Sequence, residues 1–172
     1  MGPFGLGKIQ QSAATDGASR FATAQQWVDR LEQAQHRNAL DDEDLIDEAI
    51  AAIRDHEGAH VDTLVGIIQQ RGGDPVAEAC YDFGADFTDP EGFLGLAQLL
   101  ENTGVMAYDG AIASIKSGEL QTAGATIATI EARHASYLNL INGDNPFPDA
   151  FDTPKAMQEI LDAAGGFIVA CP

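Results

Sequence analysis

The stretch from Ile130 to His134 reads Ile-Glu-Ala-Arg-His and lies in the middle of a long helical pattern. Glu131 and His134 are three residues apart, so a helix places them on one face, one turn apart. The same Glu-x-x-His spacing recurs from Glu57 to His60. A carboxylate and an imidazole are costly to bury unless they pair or bind a metal. We therefore interpret the two pairs as halves of one dinuclear metal site.

The composition limits the class of protein. A chain of 172 residues fits one domain with a full core, and no apolar run is long enough to cross a membrane. The net charge of -18 argues against nucleic acid or an anionic membrane as a partner, because both would repel the chain. Two interpretations of the acidity stay open: a surface suited to high salt, which screens self-repulsion, or an ordinary acidic soluble protein.

Four helical patterns follow residues 1–18, a flexible leader without the features of a signal peptide. Apolar residues recur at intervals of three and four over four segments. These segments are residues 19–38, 41–72, 89–116 and 119–143. A short turn joins the first two segments and another joins the last two, so each pair should form an antiparallel hairpin. Residues 74–88 have no sustained period and are interpreted as a long crossover.

One long crossover between the second and third helices predicts an all-α, ferritin-like four-helix bundle over residues 19–143. Residues 144–172 are predicted to form an extended C-terminal tail that packs on the bundle. Within this tail we expect a short helix over Pro154–Ala164. The apolar end, Phe167–Val169, is expected to pack against the bundle.

Each half of the chain repeats one arrangement of acids and histidines. An acid in the middle of one helix is followed by Glu-x-x-His in the middle of the next helix. In di-iron and di-manganese bundles, two helices give one Glu each and the other two give Glu-x-x-His. Such metals prefer oxygen and imidazole ligands. The predicted metal ligands are Asp29, Glu57, His60, Glu101, Glu131 and His134.

The first predicted helix offers two candidate ligands. Asp29 precedes Glu57 by nearly the separation that the other half of the chain shows, and we prefer it for that reason. Its side chain is one methylene shorter than that of Glu. Glu32, one turn later, is the alternative ligand.

Other polar residues have less definite roles in the sequence. Tyr108 follows Glu101 by two helical turns and is interpreted either as a hydrogen-bond donor to a ligand or as a core tyrosine. His36 and His56 are interpreted as surface or hairpin residues rather than ligands. Two cysteines belong to no Cys-x-x-Cys motif, so two buried free thiols and a disulfide stay open as alternatives.

Several segments of the chain resemble one known family. They are Arg54–Val61 (RDHEGAHV), Leu100–Ala111 (LENTGVMAYDGA), Glu131–Ala135 (EARHA), Pro146–Pro154 (PFPDAFDTP) and Phe167–Pro172 (FIVACP). They resemble the ferritin-like domain of the desiccation-related protein family. The resemblance implies a four-helix ferritin-like fold and a di-iron or di-manganese site. The ligands that it implies are Glu57, His60, Glu101, Glu131 and His134.

The resemblance also bears on the cysteines and on the first helix. It favours a disulfide between Cys80 and Cys171, and it favours export, with the cytoplasm as the alternative location. Family members usually have Glu and Tyr where this chain has Asp29 and His36.

Two functions are expected from these features. The first is a non-haem protein with two divalent metal ions, iron favoured over manganese and zinc as a third candidate. It would react with dioxygen or peroxide as a ferroxidase-like or catalase/peroxidase-like oxidoreductase, in stress protection or iron handling. The second is a non-catalytic stress or structural protein in which the metal only stabilises the bundle. A homo-oligomer is expected, with a dimer favoured.

Overall fold

The computed structural model describes residues 43–84 and 88–172. The chain divides into two compact units, Met1–Ala52 and Ile53–Pro172. Of the first unit only residues 43–52 are described. Every site residue discussed below that the structure describes belongs to the second unit.

Helices account for most of the described architecture, as the all-α prediction requires. The four helices of the described residues are α1 Glu43–Gln70, α2 Pro90–Ile112, α3 Gly118–Ile141 and α4 Met157–Ala164. The first three correspond to the second, third and fourth helices predicted from the sequence. The first predicted helix lies outside the described residues. None of the described helices combines the length and the apolar character that crossing a membrane requires.

The start of α2 and the end of α3 agree with the sequence signals. Pro90 is at the first helical position of α2, after Asp89. The Asp89 side chain makes no capping hydrogen bond, and its backbone carbonyl instead accepts the amide hydrogen of Phe93. Helix α3 ends at Ile141, and Gly143 follows with a φ of 80°, the left-handed conformation that commonly ends a helix.

The turn between α2 and α3 begins earlier than predicted. Helix α2 ends at Ile112 rather than near Lys116, because the amides of Ser114 and Ile115 bond to carbonyls three residues back, as in a tightened final turn. Ser117 is the N-cap of α3, and its hydroxyl accepts the amide hydrogen of Leu120. Gly118, which lies between the predicted segments 89–116 and 119–143, is therefore the first residue of α3.

The core of the described residues lies between α2 and α3. Its buried apolar side chains are Val105 from α2 and Ile127, Ala128, Ala135 and Leu138 from α3. Glu131 and His134 lie on this same apolar stripe and are only 4% and 6% exposed. The predicted orientation of α3 is thus confirmed. Helix α1, by contrast, contains no buried residue.

The chain after α3 runs back along the α2–α3 hairpin. The Ser136 hydroxyl donates to the carbonyl of Pro146 over 2.8 Å, and the Lys155 amide donates to the carbonyl of Met106 over 3.1 Å. The backbone at Lys155 lies so close to Gly110 of α2 that a Cβ there would overlap the Lys155 carbonyl oxygen. Glycine is therefore required at position 110 by this close approach.

The short helix of this tail, α4, begins later than predicted. Pro154 was the expected start, but the first helical residue is Met157. The amide of Ala156 donates to the carboxylate of Glu159 over 2.9 Å. The helix thus begins where an otherwise free amide gains a side-chain acceptor.

A small antiparallel sheet joins the long crossover, residues 74–88, to the C-terminal tail. The hydrophobic pattern does not predict this sheet. Strand β1, Cys80–Tyr81, pairs with strand β2, Ile168–Val169. Both residues of β2 are exposed rather than packed on the bundle as expected. The disulfide Cys80–Cys171 links the same two segments, with 5.1 Å between the Cα atoms. The disulfide alternative is thus confirmed, and the free-thiol alternative is wrong.

Candidate metal centre

Helices α2 and α3 bring three site residues together inside the hairpin. Glu131 and His134 project from the buried face of α3, next to the fully buried Leu138. Glu101 comes from the middle of α2, and its side chain is 10% exposed. The apolar packing of the hairpin therefore holds two carboxyl groups and an imidazole where little water reaches them.

Helix α1 adds a carboxylate to this group. One ligand atom from each of Glu57, Glu101, Glu131 and His134 lies within 4.8 Å of all the others. The Nδ1 atom of His134 is the centre of the cluster: it lies 3.2 Å from Glu101 Oε2, 3.4 Å from Glu57 Oε1 and 3.7 Å from Glu131 Oε2. Three carboxylates around one imidazole nitrogen form a donor set suited to a divalent metal.

The second predicted histidine, His60, approaches the same carboxylates from α1. Its Nδ1 lies 3.2 Å from Glu131 Oε1 and 3.3 Å from Glu57 Oε1. Glu131 therefore turns one oxygen towards His60 and the other towards His134. A carboxylate placed between two histidines in this way can bridge two metal ions.

Two buried polar atoms of the site show whether these residues fit a metal ion. Glu57 Oε1 and His60 Nδ1 are buried, yet neither makes a hydrogen bond within residues 43–84 and 88–172. They are 3.3 Å apart, but their geometry is unsuitable for a hydrogen bond. Buried polar atoms are nearly always satisfied, and a carboxylate oxygen and an imidazole nitrogen that face each other without a hydrogen bond are suited to sharing a cation. The donor set therefore fits a metal.

Burial shifts the pKa values of the site. The pKa of Glu101 rises to about 9, first because burial penalises the charged form and then because its carboxyl group shares a hydrogen bond with Glu131. The pKa of Glu57 is also raised, by burial and then by repulsion from Glu131. Burial lowers the pKa of His134, against the attraction of Glu131. The imidazole is thus held in the neutral form that binds metal, whereas Glu101 must lose a proton to bind.

Tyr108 lies near the site but outside the hydrogen-bonded cluster. Burial, followed by repulsion from Glu131 and Glu57, raises the pKa of Tyr108 to about 12. Within the described residues, no hydrogen bond joins its hydroxyl group to a predicted ligand. The hydroxyl group therefore keeps its proton at neutral pH and remains able to donate it in a hydrogen bond.

Sequence reasoning assigned His56 to the surface and missed its contact with the site. The side chain is exposed, but its Nδ1 lies 2.9 Å from Nε2 of His134. One signal was available in the sequence, because His56 and His60 are four residues apart and share a face of α1.

The structure thus brings together five of the six predicted ligands. They are Glu57, His60, Glu101, Glu131 and His134. The sixth ligand, Asp29, and its alternative Glu32 lie outside the described residues. The choice between them stays a prediction.

Known proteins were compared with the chain as a whole. A family model described as a ferritin-like domain matches residues 10–144. The matched segment contains all five residues that the structure brings together, as well as Asp29 and Glu32. No curated protein matches the chain.

Proposed function

The chain belongs to the ferritin-like domain family, as the predicted fold class requires, and on that basis we propose that it is a dimetal carboxylate protein that reacts with dioxygen or peroxide. The narrower resemblance to desiccation-related proteins, with a role in oxidative or drying stress or in iron handling, is part of this proposal. Iron is the favoured metal, with manganese and zinc as alternatives.

The observation that carries the proposal is the position of the Glu131 carboxylate. Its two oxygens face two different histidines, at 3.2 Å from His60 and 3.7 Å from His134. A site built for one ion needs no second imidazole on the far side of a shared carboxylate. Two histidines around one bridging acid, with Glu57 and Glu101 beside them, match the donor arrangement of dimetal four-helix bundles.

Each residue has a definite task in the proposed mechanism. His60 and His134 would each hold one metal ion, Glu131 would bridge the two ions, and the remaining acids would complete the two coordination shells. Bound iron or manganese would supply the redox chemistry towards dioxygen or peroxide. Glu101, whose pKa is raised to about 9, would have to give up its proton in order to hold a metal ion. We assign Tyr108, whose hydroxyl group stays protonated, as a hydrogen-bond donor near the site.

A purely stabilising metal is the second candidate function. Helix α1 has no buried residue, and within the described residues its polar contacts with α3 include those of the site. A metal held jointly by Glu57, His60 and the α3 ligands would fasten α1 to the hairpin without any turnover. Binding to the folded state alone raises stability by mass action.

Metal analysis followed by a turnover assay separates the two functions. Protein purified from its source is analysed for iron, manganese and zinc, and the iron-loaded protein is then assayed for dioxygen and peroxide consumption. Bound iron with repeated turnover supports the redox function, and zinc-loaded protein serves as the inactive control. A stabilising but inert metal supports the second candidate. If metal-replete protein binds no metal at all, neither function stands.

Location and assembly belong to the same proposal. The disulfide Cys80–Cys171 indicates an oxidising compartment, and we propose export on that basis. We also propose a homodimer, and Asp29 as the sixth ligand. An anomalous-scattering structure of the metal-loaded protein tests whether Asp29 is the sixth ligand. A metal ion bound by Glu32 instead of Asp29 would overturn that assignment.

A further inference from the structure

Two imidazoles at the edge of the metal centre lie end to end. Nδ1 of His56 is 2.9 Å from Nε2 of His134, and the two ring planes differ by only 6°. The ring centroids are 5.2 Å apart, which is the nitrogen–nitrogen distance plus about a ring radius at each end. The rings are therefore coplanar and joined edge to edge, as a hydrogen bond between two imidazoles requires, and do not overlap face to face.

The two nitrogens of His134 face different surroundings. Nδ1 points towards the carboxylates of Glu57, Glu101 and Glu131, whereas Nε2 faces His56. A neutral imidazole carries one proton, and a metal takes the lone pair of the nitrogen that lacks it. When Nδ1 of His134 binds metal, the proton must sit on Nε2. Among the described residues, the acceptor that the structure offers there is the lone pair of His56 Nδ1.

We propose that His56 is a positioning residue that holds the His134 ring in the tautomer and orientation in which Nδ1 binds metal. The inference rests on metal binding at the proposed site. Metal-bound histidines usually donate their other ring N–H to a carboxylate, a carbonyl or water, and this partner fixes the tautomer. Here the partner is another imidazole.

The choice of an imidazole has an electrostatic reason. Three carboxyl groups already surround His134 Nδ1, and burial has raised the pKa of two of them. A fourth acid behind His134 would add negative charge to a poorly hydrated site. An imidazole can accept the hydrogen bond of His134 without adding that negative charge. Because His56 and His134 belong to α1 and α3, the bond also sets the position of one helix against the other at the site.

His56 is not placed to act as a ligand itself. Its Nδ1 points at the outer nitrogen of His134, and His56 does not belong to the cluster of ligand atoms around Nδ1 of that ring. A direct metal bond from His56 is therefore the competing interpretation that an experiment should exclude.

Zinc binding to full-length variants tests the proposal. Zn²⁺ is used as a diamagnetic probe, and its affinity is measured by competition with a chromophoric chelator. His56→Leu removes the acceptor and should weaken zinc binding by about 10–100-fold, the usual effect of losing a supporting partner. His56→Asn places an amide oxygen close to the position of Nδ1 and should restore most of the affinity. Gln69→Leu, at an exposed position of the same helix, is the matched control and should bind like the wild type.

Nitrogen-15 NMR of the histidine rings provides a second measurement. In zinc-loaded wild type, the His134 ring should be protonated at Nε2 and bound to zinc at Nδ1, with slow exchange of the Nε2 proton. In His56→Leu the tautomer should be retained when zinc is bound, but the proton should exchange faster. A zinc-shifted resonance of His56 itself would overturn the proposal in favour of direct ligation.

Failure of the inference is distinguishable from failure of the proposed function. If wild-type protein binds neither zinc nor iron, the proposed function fails and the inference fails with it. If wild type binds zinc and His56→Leu binds it equally well, only the positioning role is refuted. Equal losses in the Leu and Asn variants would also refute it, because they would show that the size of the side chain matters and the acceptor does not.

Discussion

Helices α1 and α3 carry the same Glu-x-x-His motif in very different surroundings. In α3, Glu131 and His134 are buried among apolar side chains of the α2–α3 hairpin. In α1, the side chain of Glu57 is 42% exposed and that of His60 is 13% exposed, and the helix contains no buried residue. The same motif is therefore held by apolar packing in one helix, whereas in the other its contacts with the site are polar.

The difference suggests that the two halves of the site have different roles. The α3 half is organised before any metal binds, because burial and the hairpin core fix its side chains. The α1 half contains Glu57 Oε1 and His60 Nδ1, which are buried without a hydrogen bond in the described part of the chain and would gain a partner in a bound cation. Four experiments test this contrast between a preorganised α3 half and an α1 half that a metal would complete.

The largest expected effect comes from removing the bridging acid. Glu131→Ala should weaken zinc binding by more than about 100-fold, beyond what a supporting residue contributes, because this buried carboxylate turns a separate oxygen to each histidine, whereas the half-exposed Glu57 offers both histidines the single atom Oε1. Glu57→Ala, in the exposed half, should cost clearly less. The measurement is a zinc competition titration, with circular dichroism to verify the fold. Equal losses in the two variants would show that α1 is as well organised as α3.

Removing the disulfide should affect stability rather than the site. Cys80→Ser removes the cross-link to Cys171, so the unfolded chain is less constrained. The free energy of unfolding should therefore fall by about 2–5 kcal/mol in a denaturant titration. Zinc affinity should change little, because neither cysteine belongs to the ligand cluster. Cys171→Ser is the control and should give the same loss. A large drop in zinc affinity would mean that the disulfide, rather than the hairpin, organises the metal centre.

Two helical glycines lie in differently packed surroundings: Gly110 is in close contact with the tail, and Gly58 has open space beside it. Gly110→Ala should destabilise the protein by about 1–3 kcal/mol, because the new Cβ overlaps the Lys155 carbonyl oxygen and must push the tail away from α2. Gly58→Ala, within the α1 motif, meets nothing within 4 Å and should stabilise by about 0.5–1 kcal/mol. Thermal unfolding of the two variants measures both effects. Similar losses of stability in Gly110→Ala and Gly58→Ala would contradict this difference in packing.

The smallest expected effect is a pH dependence of the metal-free protein. The pKa of Glu101 is about 9 in the folded state and 4.5 in the reference state. Between these values the folded state holds a proton that the unfolded state has lost. Stability should therefore fall as pH rises, by at most about 1.4 kcal/mol per pH unit from this group.

Chelator-treated protein is used for this measurement, between about pH 7 and pH 9. The lowered pKa of His134 acts in the opposite direction only below its ordinary value of 6.5, so this range avoids it. Glu101→Gln is neutral and nearly isosteric, and it should flatten the slope. Metal affinity should rise with pH over the same range, because binding displaces the proton. An unchanged slope in Glu101→Gln would assign the effect to another group.

Local signals in the sequence predicted the helices and most of the candidate site. The apolar stripe of α3 placed Glu131 and His134 on its buried face, and that orientation is confirmed. The start of α2 at Pro90 and the end of α3 before Gly143 follow from backbone preferences that act within one turn. Such features depend on neighbouring residues only, so a single sequence is enough to predict them.

Other features depend on residues far apart in the chain. The pairing of β1 with β2 needs only two residues from each segment, too few to produce an alternating pattern. The bond between His56 and His134 joins residues 78 positions apart, and periodicity contains no information about it.

The sequence by itself determined the family, the helical class and the residue types that a metal would need, because spacing along a helix decides which side chains share a face. Tertiary structure alone decided that two identical motifs would differ in burial. It also decided that Glu131 would face both histidines and that an exposed histidine would lie behind His134. Packing between helices controls distance and hydration, and these determine how a carboxylate or an imidazole behaves.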